Sequence, residues 1–75
     1  MAAGAGAVIR EARRRSGLSQ AELARRAGVS QPVITAYESG RREPGLSMLA
    51  KLVDASGHRL RVELVPQLLA EAIPL

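Results

Sequence analysis

The sequence contains no cysteine and a single histidine, and these two scarcities exclude several classes of protein. Without cysteine the chain has no disulfide framework, and the lone His58 cannot supply the ligands of a Cys/His zinc site. We therefore expect no metal and no cofactor, and we expect His58 to be a loop residue. The lack of cysteine also fits a cytoplasmic protein.

Long apolar runs and catalytic patterns are missing as well. Nothing approaches the 18 or more apolar residues of a membrane span, and no basic residue precedes the short apolar start "MAAGAGAVI", as it would in a secretory signal. The sequence shows no pattern of a nucleophilic serine with a histidine base. It also contains neither a glycine-rich loop that binds phosphate nor a pair of carboxylates arranged for catalysis. The sequence predicts a soluble, cytoplasmic protein that is not an enzyme and does not contact membranes.

The length of 75 residues allows one small domain. A chain of this size buries only about 60% of its unfolded surface, so its stability as a monomer should be marginal. Because neither disulfides nor a zinc site can compensate, we expect a surface for self-association.

Positive charge is concentrated in the first part of the chain. Eight arginines precede residue 43, and the acidic residues in that part of the chain are Glu11, Glu22 and Glu38. The remainder has three basic and four acidic residues. Ten of the eleven basic residues are arginine, whose planar fork suits phosphate better than the point charge of lysine. The charge favours a polyanionic partner. The alternative is that the arginines only solvate the exposed faces of the helices.

Two helices are predicted in the first 28 residues, after a flexible Gly/Ala-rich start. The first should run from about residue 6 to residue 16, with Ile9 among its apolar residues. Ser19 and Glu22 then form an S-x-x-E capping box, which begins a second helix over residues 20–27. Gly28 ends this helix.

Two more helices follow closely. Ser30 should cap the third helix, Pro32 fits its first turn, and the helix should end at about Ser39. A loop, "RREPG", precedes the fourth helix, which should end at Gly57. The apolar side of the fourth helix is defined by Leu46, Leu49, Leu52 and Val53.

The third helix is expected to be the recognition element. If Ile34 and Tyr37 point inward, the outer face consists of small or neutral residues, which are Gln31, Pro32, Thr35 and Ala36. Glutamine can pair with an adenine edge in the major groove, threonine can offer a hydroxyl or a methyl group, and alanine or proline can contact a thymine methyl group. Two helices joined by a tight turn that contains glycine form a helix-turn-helix, in which the second helix lies in the groove.

The segment "LSQAELARRAGVSQPVITAYESGRREP" resembles the Cro/C1-type, or XRE-like, helix-turn-helix domains of repressors, bacterial regulators and many antitoxins. The similarity covers about residues 8–57 and includes the caps, the turn glycine and the helix ends together. It implies base-reading positions at Gln31, Pro32, Thr35 and Ala36. It implies DNA-backbone contacts at Gln20, Ser30, Tyr37, Ser39, Arg41 and Arg42. It also implies a structural ion pair between Arg13 and Glu38.

The residues after "LVDASG" depart from the commonest family pattern, which continues into a fifth helix. In "HRLRVELVP" apolar and charged residues alternate, with Leu60, Val62 and Leu64 on one face, so a β-strand is predicted over residues 58–66. A single strand leaves its backbone groups unpaired. Some antitoxin-type relatives pair this strand with its copy in a homodimer, and we expect the same here, with the three apolar residues covering the first and fourth helices.

Other interpretations of the C-terminal part stay open. The alternative to the homodimer is that the chain is a fragment of a longer protein, in which the strand pairs with something downstream. The tail over residues 67–75 can be a helical turn, a disordered end or a partner-binding peptide.

The expected function follows from the helix-turn-helix of residues 1–57. We expect a sequence-specific regulator, a repressor that binds a palindromic operator in double-stranded DNA as a homodimer. It can be the antitoxin of a toxin-antitoxin operon, with a cognate toxin as its partner. The alternatives are a DNA-targeting module of a larger enzyme or toxin and a protein-interaction module.

Overall fold

The computed structural model of the protein describes residues 4–67, and four α-helices form within that range. Helix α1 spans Ala5–Arg15, α2 spans Gln20–Ala27, α3 spans Gln31–Ser39 and α4 spans Leu46–Ala55. The prediction of a four-helix, mostly α-helical domain is confirmed. None of the helices in residues 4–67 is long and apolar enough to cross a membrane.

The turn between α2 and α3 is fixed by local sequence. The Ser19 hydroxyl accepts from the Glu22 backbone N–H at 3.0 Å, and the Glu22 carboxylate accepts from the Ser19 N–H at 2.7 Å, so the predicted capping box is formed. Gly28 ends α2 with a φ of +73°, in the left-handed region that side chains disfavour. Only residues 28–30 separate the two helices, which therefore stay in close contact.

Each helix contributes one fully buried large apolar side chain to the core. These side chains are exposed by 1% or less: Ile9, Leu23, Ile34 and Leu52. Burial of each contributes about 1.5–3 kcal/mol relative to leaving it exposed. The prediction for α4 is wrong at Leu46, which is 61% exposed, because this residue begins the helix and the buried residues lie in its later turns.

Helix α1 packs closely against the end of α3. A Cβ atom at Gly6 would collide with the backbone carbonyl oxygen of Tyr37, so only glycine allows this approach. The sequence places Gly6 at the start of a helix but gives no sign of this packing role. The close approach matters because it helps hold the last turn of α3, which continues into the arginine-rich loop.

The strand predicted over residues 58–66 is not formed. Residues 58–67 have no regular secondary structure, and the described range 4–67 contains no strand at all. Leu60 is half-buried, but Val62 is 63% and Leu64 is 95% exposed, so they do not cover α1 and α4. The physical reason is that a strand needs a neighbour to accept and donate its ladder bonds, and this part of the chain offers none.

Two further predictions concern the ends of the chain. Residues 1–3 of the N-terminal segment and residues 68–75 of the tail lie outside the described residues.

Candidate nucleic-acid interface

The first turn of α3 carries a polar, solvent-facing surface. Gln31 and Pro32 are exposed and Thr35 is half-buried, whereas Ile34 and Tyr37 are buried as predicted. Ser30 occupies the N-cap position, but its side chain makes no capping hydrogen bond. Ser30 is therefore the N-cap residue, as predicted, but the capping hydrogen bond expected from its side chain is not formed. The exposed Ser30 hydroxyl does not cap the helix.

Ala36 does not lie on this outer face. Its exposed fraction is 5%, so the prediction of an outward side chain is wrong. The loop after α3 turns back on the helix, and the Arg42 backbone N–H donates to the Ala36 carbonyl oxygen at 3.2 Å. The helical periodicity of α3 does not reveal the burial of this methyl side chain.

Glu38 is the centre of a buried ion cluster at the end of α3. Arg13 donates to both of its carboxylate oxygens, from Nε at 2.7 Å and from Nη2 at 2.9 Å, and the Glu38 side chain is only 1% exposed. Arg13 also donates to the Leu18 carbonyl oxygen at 2.9 Å. The planar fork of Arg13 therefore joins α1 to the recognition helix in the bidentate geometry that favours arginine over lysine.

A second arginine joins this cluster that neither the sequence nor the resemblance indicates. The Arg10 Nε lies 3.5 Å from the Glu38 carboxylate, and its Nη2 donates to the Glu38 carbonyl oxygen at 3.3 Å. Arg10 and Arg13 are three residues apart and share one side of α1. This spacing indicates that Arg10 lies beside Arg13 on the helix. It does not indicate the partner, because Glu38 is far away along the chain.

The cluster keeps Glu38 ionised. Burial alone would raise the pKa of Glu38, but hydrogen bonds from Arg13 and Gln20 and the positive charge of Arg13 outweigh burial, so this pKa lies below its ordinary value. Glu38 in turn raises the pKa of Arg13, chiefly through their hydrogen bonds. A carboxylate in this state accepts hydrogen bonds and donates none.

Gln20 and Thr35 extend the cluster toward the outer face of α3. The Gln20 Nε2 donates to Glu38 Oε1 at 3.0 Å, and the Thr35 hydroxyl donates to Gln20 Oε1 at 2.7 Å. Two residues expected at the DNA interface are thus bound to each other in the free protein. The Gln20 side chain is half-buried, and its amide orientation is set by its two partners.

The loop after α3 presents two exposed arginines. The Arg42 guanidinium lies 5.7 Å from the centre of the Tyr37 ring, within the range of a cation–π contact, and Tyr37 itself is 6% exposed. The Ser39 hydroxyl donates to the Ala36 carbonyl oxygen at 3.1 Å and accepts from the Arg41 N–H at 3.4 Å. These interactions order the loop beside the end of α3.

The imidazole of His58 lies within hydrogen-bond distance of Ser56, two residues before it. Its Nδ1 lies 3.1 Å from the Ser56 carbonyl oxygen, and the Ser16 hydroxyl donates to the same oxygen. Across residues 4–67 no group of three or more histidine, cysteine, aspartate or glutamate side chains could hold a metal ion.

Comparisons with known proteins agree with this geometry. The pattern of the helix-turn-helix family matches residues 9–57. An uncharacterized HTH-type transcriptional regulator of Archaeoglobus fulgidus is 48% identical over 50 residues, which are 67% of this chain and 22% of that protein. Another, of Methanothermobacter thermautotrophicus, is 44% identical over 50 residues, 67% of this chain and 72% of that protein.

A third relative has a different name. Multiprotein-bridging factor 1 of Candida albicans is 43% identical over 56 residues, which are 75% of this chain and 37% of that protein. No solved structure gives a significant match. The chain spans 22% of the length of the Archaeoglobus relative, so the similarity concerns the helix-turn-helix domain. This chain belongs to the Cro/C1-type helix-turn-helix family of DNA-binding transcriptional regulators.

Proposed function

We propose that this chain reads a specific sequence in double-stranded DNA by placing the first turns of α3 in the major groove. The observation that carries the proposal is the exposed surface of Gln31 and Pro32, with Thr35 half-exposed beside them. Its neutral, hydrogen-bonding character contrasts with the arginine-rich remainder of residues 4–42. Such a surface suits base edges, whereas arginines suit phosphates.

The proposed base contacts come from three residues. The Gln31 amide can donate and accept together, as the N6 and N7 edge of adenine requires, and Pro32 can contact a thymine methyl group. Thr35 offers a hydroxyl and a methyl group. Ala36 is not retained as a base-reading residue, because its side chain is buried.

The proposed phosphate contacts surround this face. They are made by Gln20, Ser30, Ser39, Arg41 and Arg42, whereas Tyr37 is not retained because it is buried. Arg41 and Arg42 are exposed and follow α3 directly, so they can track the DNA backbone while α3 occupies the groove.

The regulatory role that we propose is repression by a homodimer on a palindromic operator. In support, Val62, Leu64 and Val65 are 63%, 95% and 70% exposed in a segment without regular secondary structure, which a second copy could cover. An antitoxin role is one form of this proposal. A toxin gene beside the reading frame would support it.

Protein bridging is a second candidate function. It is favoured by the 43% identity to a relative named multiprotein-bridging factor 1 and by the same exposed apolar segment. This function requires neither a DNA motif nor a strong salt dependence of DNA affinity.

One experiment separates the two candidates. The purified chain selects duplexes from a randomised pool, and the enriched duplexes are then titrated by fluorescence anisotropy at several salt concentrations. A DNA reader should enrich a short motif, and log K should fall linearly with log salt by about 0.9 for each phosphate neutralised. Enrichment of no motif together with a shallow salt dependence would favour protein bridging and contradict the DNA proposal.

A further inference from the structure

A chain of hydrogen bonds connects the buried Glu38 to the surface of the recognition helix. It runs from Glu38 through the Gln20 amide to the Thr35 hydroxyl, with heavy-atom distances of 3.0 Å and 2.7 Å. Glu38 and Thr35 belong to α3, whereas Gln20 is the first residue of α2. The chain therefore ends on the face of α3 that we propose to enter the groove.

The direction of donation along these hydrogen bonds is fixed at their buried end, by Glu38. Glu38 accepts four hydrogen bonds from the side chains of Arg10, Arg13 and Gln20, and its carboxylate has no proton to donate. The Gln20 amide must therefore turn its NH₂ group toward Glu38. A flipped amide would place its oxygen against the carboxylate, so the usual ambiguity between amide oxygen and nitrogen does not arise.

The consequence reaches Thr35. Because the Gln20 oxygen faces Thr35, the Thr35 hydroxyl must donate its one hydrogen inward to that oxygen. A hydroxyl has one hydrogen and two lone pairs, so only lone pairs remain for a partner outside. A threonine without this constraint can donate to or accept from a base.

We infer that Thr35 is a specificity-determining residue that acts only as a hydrogen-bond acceptor, and that it selects a base with an exocyclic amino group. In the major groove these groups are N6 of adenine and N4 of cytosine, whereas thymine O4 and guanine O6 offer acceptors and are disfavoured. The inference rests on the proposed function, that α3 reads DNA. Gln20 is a positioning residue here, since it acts on the base through Thr35.

The test is binding-site selection with the parent chain and with Thr35→Val, which keeps the shape of threonine and removes its hydroxyl. The parent should enrich adenine or cytosine at the position where Thr35→Val loses preference. The amino group is then removed from that base by substituting purine for adenine, or 2-pyrimidinone for cytosine. Parent affinity should fall about threefold to tenfold, as for one hydrogen bond, and Thr35→Val should not respond.

Gln20→Leu tests the origin of the polarity and leaves Arg13 and Glu38 in place. Once the Thr35 hydroxyl is free to rotate, guanine or thymine should be admitted at the same position. Thermal melting shows whether this variant folds. The comparison of modified bases uses only the parent and Thr35→Val, so it does not depend on the folding of Gln20→Leu.

Different results would contradict the role of Thr35 and the reading of DNA by α3. Enrichment of guanine or thymine by the parent at this position, or an equal fall in affinity for parent and Thr35→Val on removal of the amino group, would overturn the role of Thr35 alone. A parent that selects no motif would overturn the proposed function, and this inference with it.

Discussion

The Arg13 guanidinium and the Glu38 carboxylate form two parallel hydrogen bonds, of 2.7 Å and 2.9 Å, across 25 positions of the chain. Helix α1 is thereby joined to the last turn of α3, where the side chain of Glu38 is 1% exposed. The same carboxylate orients Gln20 at the start of α2. One buried acid therefore sets the relative positions of the three helices on which the candidate interface depends.

Removal of this acid should strongly destabilise the fold. Glu38→Ala leaves Arg13, whose side chain is 15% exposed, without its charge partner. Breaking a buried pair costs about 3–5 kcal/mol, so we expect a decrease in unfolding free energy in this range by urea denaturation.

The exposed pair of Glu11 and Arg15 is the matched control. These side chains lie 2.8 Å apart and are 59% and 66% exposed, so Glu11→Ala should cost less than about 1 kcal/mol. Similar decreases for the two variants would show that the Glu38 cluster is no more important than a surface ion pair.

Stability should also depend on pH through Glu38. Its pKa is lowered on folding, so the unfolded chain binds a proton more readily, and this contribution to stability is complete above the ordinary pKa of an unfolded glutamate. As the pH falls from there through the lower folded pKa, this contribution is lost. Glu38→Gln should therefore lose less stability than the parent between neutral pH and acid.

Glu22 provides the comparison for this measurement. Its pKa is lowered chiefly because the backbone N–H of Ser19 donates to it, but Glu22 lies in an exposed cap. Glu22→Gln should keep most of the acid sensitivity of the parent in melting curves. If Glu38→Gln and the parent show the same pH dependence, Glu38 is not the group that titrates.

The parts of the fold that sequence predicts are those decided by neighbouring residues. Ser19 and Glu22 bond to each other within the first turn of α2, and Gly28 ends the helix through its own left-handed conformation, so the bounds of α2 follow from the sequence alone. The pair of Arg13 and Glu38 comes only from family resemblance, because nothing local relates residues so far apart. Its geometry in the structure agrees with that expectation.

The rest depends on which surfaces meet. Ala36 is buried beside its backbone bond to the returning loop, and Gly6 is needed because α1 approaches the Tyr37 carbonyl group. Neither fact is contained in helical periodicity. The alternation of Leu60, Val62 and Leu64 predicts a strand correctly only if a second strand is present to pair with it.

Phosphate binding should be indifferent to DNA sequence. Replacing both Arg41 and Arg42 by alanine should weaken binding to all duplexes alike and flatten the plot of log K against log salt by about 0.9 for each phosphate that is no longer neutralised. Lys51→Ala is the control, because Lys51 is an exposed residue of α4, which packs on α1 and α2. An unchanged slope in the double variant would show that the two arginines only solvate the loop.

The homodimer should depend on the backbone of residues 59–65. Successive N–H groups of a strand point to opposite edges, so either Val62→Pro or Glu63→Pro must remove a donor from a shared ladder. We expect the parent to be dimeric by light scattering at concentrations on the order of tens of micromolar, and at least one proline variant to be monomeric. Val62→Ile, which keeps the N–H group and the apolar surface, should stay dimeric. A monomeric parent, or dimers from both proline variants, would exclude the shared strand.

The central claim, that the first turn of α3 reads base pairs, is tested most directly by comparing the motifs that the parent and Gln31→Ala select from the same randomised duplexes. Gln31 is exposed, so its removal should leave the fold intact. We predict that Gln31→Ala loses preference at one position in each half-site and that its affinity for the parent motif falls by about 1–3 kcal/mol. Its affinity for unrelated duplexes should not change. The same motif from both proteins would contradict the account.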